Sequence, residues 1–329
     1  MRKSKKAFSL IEVVFVLVIL GIVASISSQI IVQVYENYIT QKALYNTTTK
    51  TELVANQIVN RLSYVIDGTT IAKNPNSSFA YTADSENTDL NPNGNWTKLE
   101  KIPLNDNNFT TIEWIGYDND SFSAGATPYW SGIANYETAS RNSFETPGSD
   151  LTSASEIINN LSNNDVDLTD TKELPAIIFI ENSKQYQTDL DYSPACMGLV
   201  DEDNTSCIFR VSMIDNTNFS FPDGLPKIVT ERYKLAWSAY ALVPEDPDGD
   251  SNGDGVDDDG LYDLVLYSNY QPWNNENYED DGSKSLLIRN VSVFKFTENG
   301  GVIQLKLCAT ENIGQNFNIS SCKEKAIIR

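Results

Sequence analysis

Hydrophobic and polar positions divide the chain into three regimes. From Phe8 to Tyr35 the stretch "FSLIEVVFVLVILGIVASISSQIIVQVY" is almost wholly apolar, and its one charge is Glu12. From Ile31 onward the apolar positions space out: Ile31, Val34, Tyr38, Ala43 or Leu44, Leu53, Val54, Ile58, Leu62 and Val65, with no proline or glycine between them. Spacing of three and four is the period of a helix with one buried face. Together the two regimes predict one helix over about 8–66. At about 1.5 Å per residue it is about 85 Å long. The threonines at 47–49 are modest helix formers and are expected to weaken it locally.

The third regime is the body. From about 67 to 170 it is rich in Asn, Ser, Thr, Asp and Gly, with turn clusters at "AKNPNSSF" and "DLNPNGNW". Within it "TTIEWIGY" reads as an isolated strand and "SEIINNLS" as a short helix. From about 173 the strand signal rises through "PAIIFIE", "CIFRVSMI", "YKLAWSAYALV", "LYDLVLYS", "LLIRNVSVFKFTE" and "GVIQLKLCA". These are β-branched or aromatic runs bounded by turns. "TENGGV" predicts a hairpin turn between Phe296 and Ile303. The fold class is therefore α+β: a long N-terminal helix whose distal half packs on a mainly antiparallel sheet.

Val13 to Tyr35 carries no charge. That run is about 35 Å long as a helix, enough to cross a hydrocarbon core of about 30 Å. Arg2, Lys3, Lys5 and Lys6 precede it. Basic residues stay on the cytoplasmic side, so the body should face outward. An acidic residue at the centre of a spanning helix costs about 2.5–3.5 kcal/mol. Glu12 lies near one end, where the cost is smaller, but it still requires a partner.

Composition narrows the chemistry. The 329 residues carry 24 Lys plus Arg against 45 Asp plus Glu, a net charge of −21. Since four of the cations precede Phe8, the body is more acidic still. Nucleic acid and anionic lipid surfaces are recognised by Lys and Arg, so neither is an expected partner of the body. Histidine is absent, which removes Ser-His-Asp and Cys-His catalysis and the H-E-x-x-H zinc site. No phosphate-binding glycine loop occurs. Paired carboxylates could hydrolyse glycosides, but no pair stands out among so many, and the chain reads as a non-enzyme.

Four cysteines, Cys196, Cys207, Cys308 and Cys322, permit three pairings. The local pairing closes two short loops, and oxidising conditions outside the inner membrane favour disulfides. One further stretch carries ligand chemistry. "EDPDGDSNGDGVDDDGLYD" spans Glu245 to Asp263, with acidic loop residues over 246–263. Oxygen donors alternate there, as a calcium ion with 6–8 oxygen ligands requires. From Asp248 the pattern is D-x-D-x-N-G with Asp259 at the twelfth position; from Asp250 it is D-x-N-x-D-G-V. Candidate ligands are Asp248, Asp250, Asn252, Asp254, Asp258 and Asp259. Strand-like flanks predict a calcium loop between strands rather than an EF-hand. Asn108 and Asn204 lie in "DNNFT" and "EDNTS", which fit an acidic-extended N-glycosylation sequon.

The segment "KKA-FSLIE" resembles the cleavage and methylation signal of type IV pilins and type II secretion pseudopilins. The resemblance rests on the basic leader, a small residue before the cut, phenylalanine after it and glutamate at the fifth mature position. It covers the first fifth of the chain. Two positions depart from the family: Ala7 stands where glycine is usual, and Gln29 where many major pilins carry a kinking proline. The resemblance implies a leader over 1–7, cleavage between Ala7 and Phe8, and methylation of the Phe8 amine. It further implies a long helix over 8–66 with its transmembrane part at about 8–35, and a ladle-shaped molecule with the body over 67–329. Glu12 would meet the Phe8 amine of a neighbouring subunit. Implied partners are other pilin or pseudopilin subunits, prepilin peptidase and the inner-membrane assembly platform. Localisation would be the bacterial inner membrane, body outside, then a pilus or pseudopilus. The large body points to a minor subunit. The alternative is a membrane-anchored surface adhesin or carbohydrate-binding protein not assembled into a fibre.

Overall fold

The computed structural model describes residues 9–75, 96–102, 108–140, 142–169, 172–180, 196–200, 204–224, 229–245, 260–313 and 318–328. Helix α1 (Leu10–Leu62) runs without interruption from the apolar segment onto the body. Every residue from Ser9 to Tyr38 is exposed, and burial begins only beyond it. The buried positions are Ala43, Thr47, Thr51, Val54, Ala55, Ile58 and Leu62. They recur at spacings of three and four, with Val54 and Ala55 side by side, and so form one stripe.

The threonines do not loosen the helix as expected. Thr51 Oγ1 donates to the Thr47 carbonyl at 2.7 Å, and Thr47 Oγ1 donates to Glu311 Oε2 on the sheet at 2.9 Å. With Ala43 and Ala55 they form a narrow face that lets the helix lie close to the strands. Leu44 and Leu53, larger and apolar, point away from the body. The helix also stops before Ile66. Val65 bridges to Gly116 and the Ile66 amide donates to the Ile115 carbonyl at 2.9 Å. Pairing with the sheet thus overrides a helical pattern that continues in the sequence.

Eight strands form the main sheet, in the order β14-β13-β12-β11-β10-β3-β1-β2, with every neighbouring pair antiparallel. They are β1 (Ile71–Lys73), β2 (Trp96–Lys98), β3 (Thr111–Gly116), β10 (Ser238–Glu245), β11 (Tyr262–Tyr270), β12 (Ser283–Asn299), β13 (Val302–Asn312) and β14 (Asn318–Ile328). β3 is not the isolated strand expected from its polar surroundings. It is buried along its whole length between β1 and β10, and its partners are distant in sequence. β12 pairs with β11 through its first half and with β13 through its second. Val291 is opposite Tyr262 on one side and Ala309 on the other. Asn290, just before it, takes a left-handed backbone with φ 57°. The turn after β12 is made by Gly300 and Gly301, at φ 60° and 80°, the two positive angles that a tight hairpin needs.

One face of this sheet packs against α1, chiefly through β14, then β13 and β12. Val54, Ile58 and Leu62 meet Trp114, Leu264, Phe294 and Leu305 there. The other face carries a second layer. It contains the three-stranded sheet β6-β5-β9, made of β6 (Phe209–Arg210), β5 (Ala176–Phe179) and β9 (Tyr233–Ala236). Strand β5 is buried on both sides. Ala176 and Ile178 face the main sheet, whereas Ile177 and Phe179 face a third cluster rich in aromatics. That cluster is enclosed by α3 (Leu151–Leu161) and the small sheet of β4 (Ser143–Glu145), β8 (Asn218–Ser220) and β7 (Ser212–Asp215). A short helix, α2 (Asn119–Phe122), joins it to β3.

Candidate functional site

The chemistry-bearing residues lie in three places: the start of α1, the β10–β11 hairpin, and the seam between α1 and the C-terminal strand. At the first, Ser9 precedes the helix and its carbonyl accepts the amides of Glu12 at 3.0 Å and Val13 at 3.2 Å. Glu12 thus sits in the first turn, where the helix dipole favours a carboxylate. It is exposed, as are the apolar residues behind it. By length and composition α1 can cross a membrane. Ala7 and Phe8, the expected processing pair, lie outside the described residues.

At the second, β10 and β11 form the antiparallel hairpin whose last paired residues are Glu245 and Asp263. Strands therefore flank the acidic loop, as its sequence context predicted. The six candidate calcium ligands, Asp248 to Asp259, lie outside the described residues. The carboxylates at the loop's base are already engaged. Glu245 accepts from Tyr267 and pairs with Lys284, while Asp263 faces Arg289 at 3.9 Å. Among the described residues no group of three or more Asp, Glu, Cys or His is placed to hold a metal.

The third place was not apparent in the sequence. Side chains alternate along β14, so Lys323 and Lys325 point toward α1 while Glu324 points away. The two ammonium groups close on one carboxylate, with Lys325 Nζ 2.5 Å from Glu52 Oε1 and Lys323 Nζ 3.2 Å from Glu52 Oε2. The hydrogen bond from Lys325, then that from Lys323, lowers the Glu52 carboxyl to about 2. The only signal in the sequence was the K-x-K alternation of "CKEKAII", which names no partner.

Both disulfides join neighbours in sequence: Cys196 to Cys207 and Cys308 to Cys322. Cys308 and Cys322 are directly opposite in the β13–β14 ladder. That bond staples the edge strand that carries the lysine clasp. Cys196, Met197, Leu199 and Cys207 pack under the main sheet, where Gly198 takes φ +78° with the Pro272 carbonyl oxygen filling the space a Cβ would need. Asn204, of one sequon, lies between these cysteines, half-buried, with its side chain accepting from Ser206 at 2.9 Å. Asn108, of the other, is exposed.

One buried ion pair stands apart from these places. Lys73 Nζ is 2.5 Å from Glu113 Oε2, and the Tyr270 phenol donates to Glu113 Oε1 at 2.8 Å. Burial, then the charge of Glu113, raises the Tyr270 hydroxyl well above the ordinary phenol range. With Lys73 beneath the Tyr278 ring at 5.3 Å, the group is a polar network on the main sheet, on the side that faces the second layer.

Residues 2–28 match the family described as the prokaryotic N-terminal methylation motif. No curated protein and no solved structure matches the chain. The matched residues take in the basic leader, Ala7, Phe8, Glu12 and most of the exposed apolar part of α1. The chain thus carries a type IV pilin- or pseudopilin-like prepilin signal, fused without a break to an antiparallel β body.

Proposed function

We propose that this chain is a minor pilin or pseudopilin, a structural subunit cut by prepilin peptidase between Ala7 and Phe8 and assembled into a type IV pilus or type II secretion pseudopilus. One observation carries the reading: the methylation-motif segment continues into a helix that is wholly exposed from Ser9 to Tyr38 and then locked onto the body. An apolar surface of that length needs either lipid or other helices. A helix that holds its body rigidly can move from one to the other and carry the body with it.

Glu12 gives the transfer its register. Cleavage frees the Phe8 amine, which is largely protonated at neutral pH because an α-amino group titrates near 7.7–8.0. A Glu12 carboxylate meeting the Phe8 amine of the next subunit cancels two charges that are each costly in an apolar bundle. The body stays outside the cytoplasm, where disulfides form and persist. The β10–β11 loop binds calcium through Asp248, Asp250, Asn252, Asp254, Asp258 and Asp259, which relieves the repulsion among clustered carboxylates. The size of the body favours a minor position, because a bulky subunit is easiest to accommodate at a fibre end. No catalytic role follows from this reading.

The test is mass spectrometry of the N-terminal peptide from native membranes and from sheared surface fibres. A peptide beginning at methylated Phe8, present at low abundance in the fibre fraction, is the expected result. An intact Met1 terminus with no fibre signal would replace this reading by that of an anchored surface protein.

A further inference from the structure

The flank of α1 where it leaves the sheet borders a groove of about 420 Å³, within the range of small-ligand pockets, about 300–1,000 Å³. Its walls combine aromatic rings with planar polar side chains. Tyr240 and Trp114 stack with centroids 5.7 Å apart and planes 25° from parallel. Arg61 is held over Tyr240, its guanidinium carbon 5.2 Å from the ring centroid. Along the rim stand Gln57 and Asn60, on the same helix flank as Arg61, and Asp120 on α2 opposite. Among the described residues none of these four rim side chains is held by a hydrogen bond or an ion pair. Trp114 is fully buried, yet its indole N–H has no hydrogen-bond partner among the described residues.

From this arrangement we infer that the groove binds a neutral saccharide of about two rings. Guanidinium, carboxylate and amide groups are planar and present paired donors or acceptors. Vicinal sugar hydroxyls, which both donate and accept, match such pairs. The partly exposed rings of Tyr64, Tyr117 and Tyr240, which also line the groove, suit the apolar faces of a pyranose ring. Charge selects against the other small polar ligands. Arg61 and Asp120 offset each other inside the groove, so neither a bare anion nor a bare cation finds a net opposite charge. The chain as a whole carries −21, and its field repels anions at a distance. A neutral polyol is indifferent to that field.

The test uses the full chain in a detergent with no sugar headgroup. Saturation-transfer NMR is run with maltose, cellobiose, lactose and N,N′-diacetylchitobiose as probes, and with the tripeptide Ala-Tyr-Ala as a control. Aromatic irradiation should transfer to at least one disaccharide. Arg61→Met and Asn60→Ala should each weaken that binding by about fivefold or more, the effect of losing one net hydrogen bond. Both side chains are exposed, so circular dichroism should report an unchanged fold. Absence of transfer to all four sugars would overturn the inference, as would transfer that both variants leave intact. Transfer to the tripeptide in place of the sugars would overturn it in favour of a peptide ligand.

Discussion

Replacing Lys73 by Met should be among the most damaging single changes in the body, although Lys73 sits at the end of a three-residue strand. Its ammonium is the counter-charge of Glu113, whose side chain is 2% exposed against 19% for Lys73. Methionine keeps the length and apolar stem of lysine and removes only the charge. Glu113 is then left buried between the main sheet and the second layer, with the Tyr270 phenol as its one remaining partner among the described residues. Removing one member of a buried ion pair costs about 3–5 kcal/mol, because the other must be buried uncompensated. For a body of this size 1 kcal/mol corresponds to about 2–4 °C. The expected loss is therefore roughly 6–20 °C in thermal unfolding of the full chain in detergent, followed by near-ultraviolet circular dichroism. Glu113→Gln should cost less, about 1–3 kcal/mol, since Lys73 is close enough to the surface to turn toward water. The decisive comparison is the double variant. With both charges gone, Lys73→Met with Glu113→Gln should recover at least half of the Lys73→Met loss. A shift below about 2 °C for Lys73→Met, or strictly additive single effects, would refute the view that charge compensation holds this site together.

Other expectations follow from particular residues. Glu12→Val should insert into membranes at normal levels and be missing from sheared fibres; equal recovery in fibres would remove the proposed role of the Phe8 amine. Stability should depend on pH in two opposed ways. Burial raises Asp118 to about 6 and Glu276 to about 7, so both bind their protons more tightly when folded and weaken the fold as pH rises from about 4 to 7. For Asp118, which is almost fully buried, this is of order 3 kcal/mol, and Asp118→Asn should flatten its share of the decline in urea titrations. Glu52, lowered to about 2, acts in reverse; its contribution is complete above about 4.5 and lost as pH falls toward 2, and Glu52→Gln should remove that acid-side loss. Gly198→Ala meets both a left-handed backbone and the Pro272 carbonyl and should lower the unfolding midpoint by several degrees, whereas Gly148→Ala, with open space around it, should pay only for its backbone angle. Calcium at a hundred times its dissociation constant should stabilise the chain by about 2.7 kcal/mol, and Asp250→Asn with Asp254→Asn should abolish that gain and the bound ion measured by elemental analysis.

Local chemistry determined much of this protein without reference to its fold. A charge-free run behind a basic leader, a lone glutamate in its first turn and a helical period beyond it define an apolar helix that continues into the body. β-Branched runs, a Gly-Gly turn and the antiparallel hairpin signals define the sheet. These features are legible because each depends on residues a few positions apart. What only the tertiary structure decided involves partners far apart in sequence. The threonines at 47 and 51 read as weak helix formers, yet they form the docking face, because β13 brings Glu311 within reach of Thr47. "TTIEWIGY" read as an isolated strand, yet it is central, because β10 arrives from more than a hundred residues away. β14 carries too much charge to stand out as a strand, and its lysines gain meaning only when α1 presents Glu52 across the seam. Lys73 and Glu113 look like ordinary surface charges until the layers close over them. Periodicity records which face of an element is buried, but the element that buries it is fixed by packing.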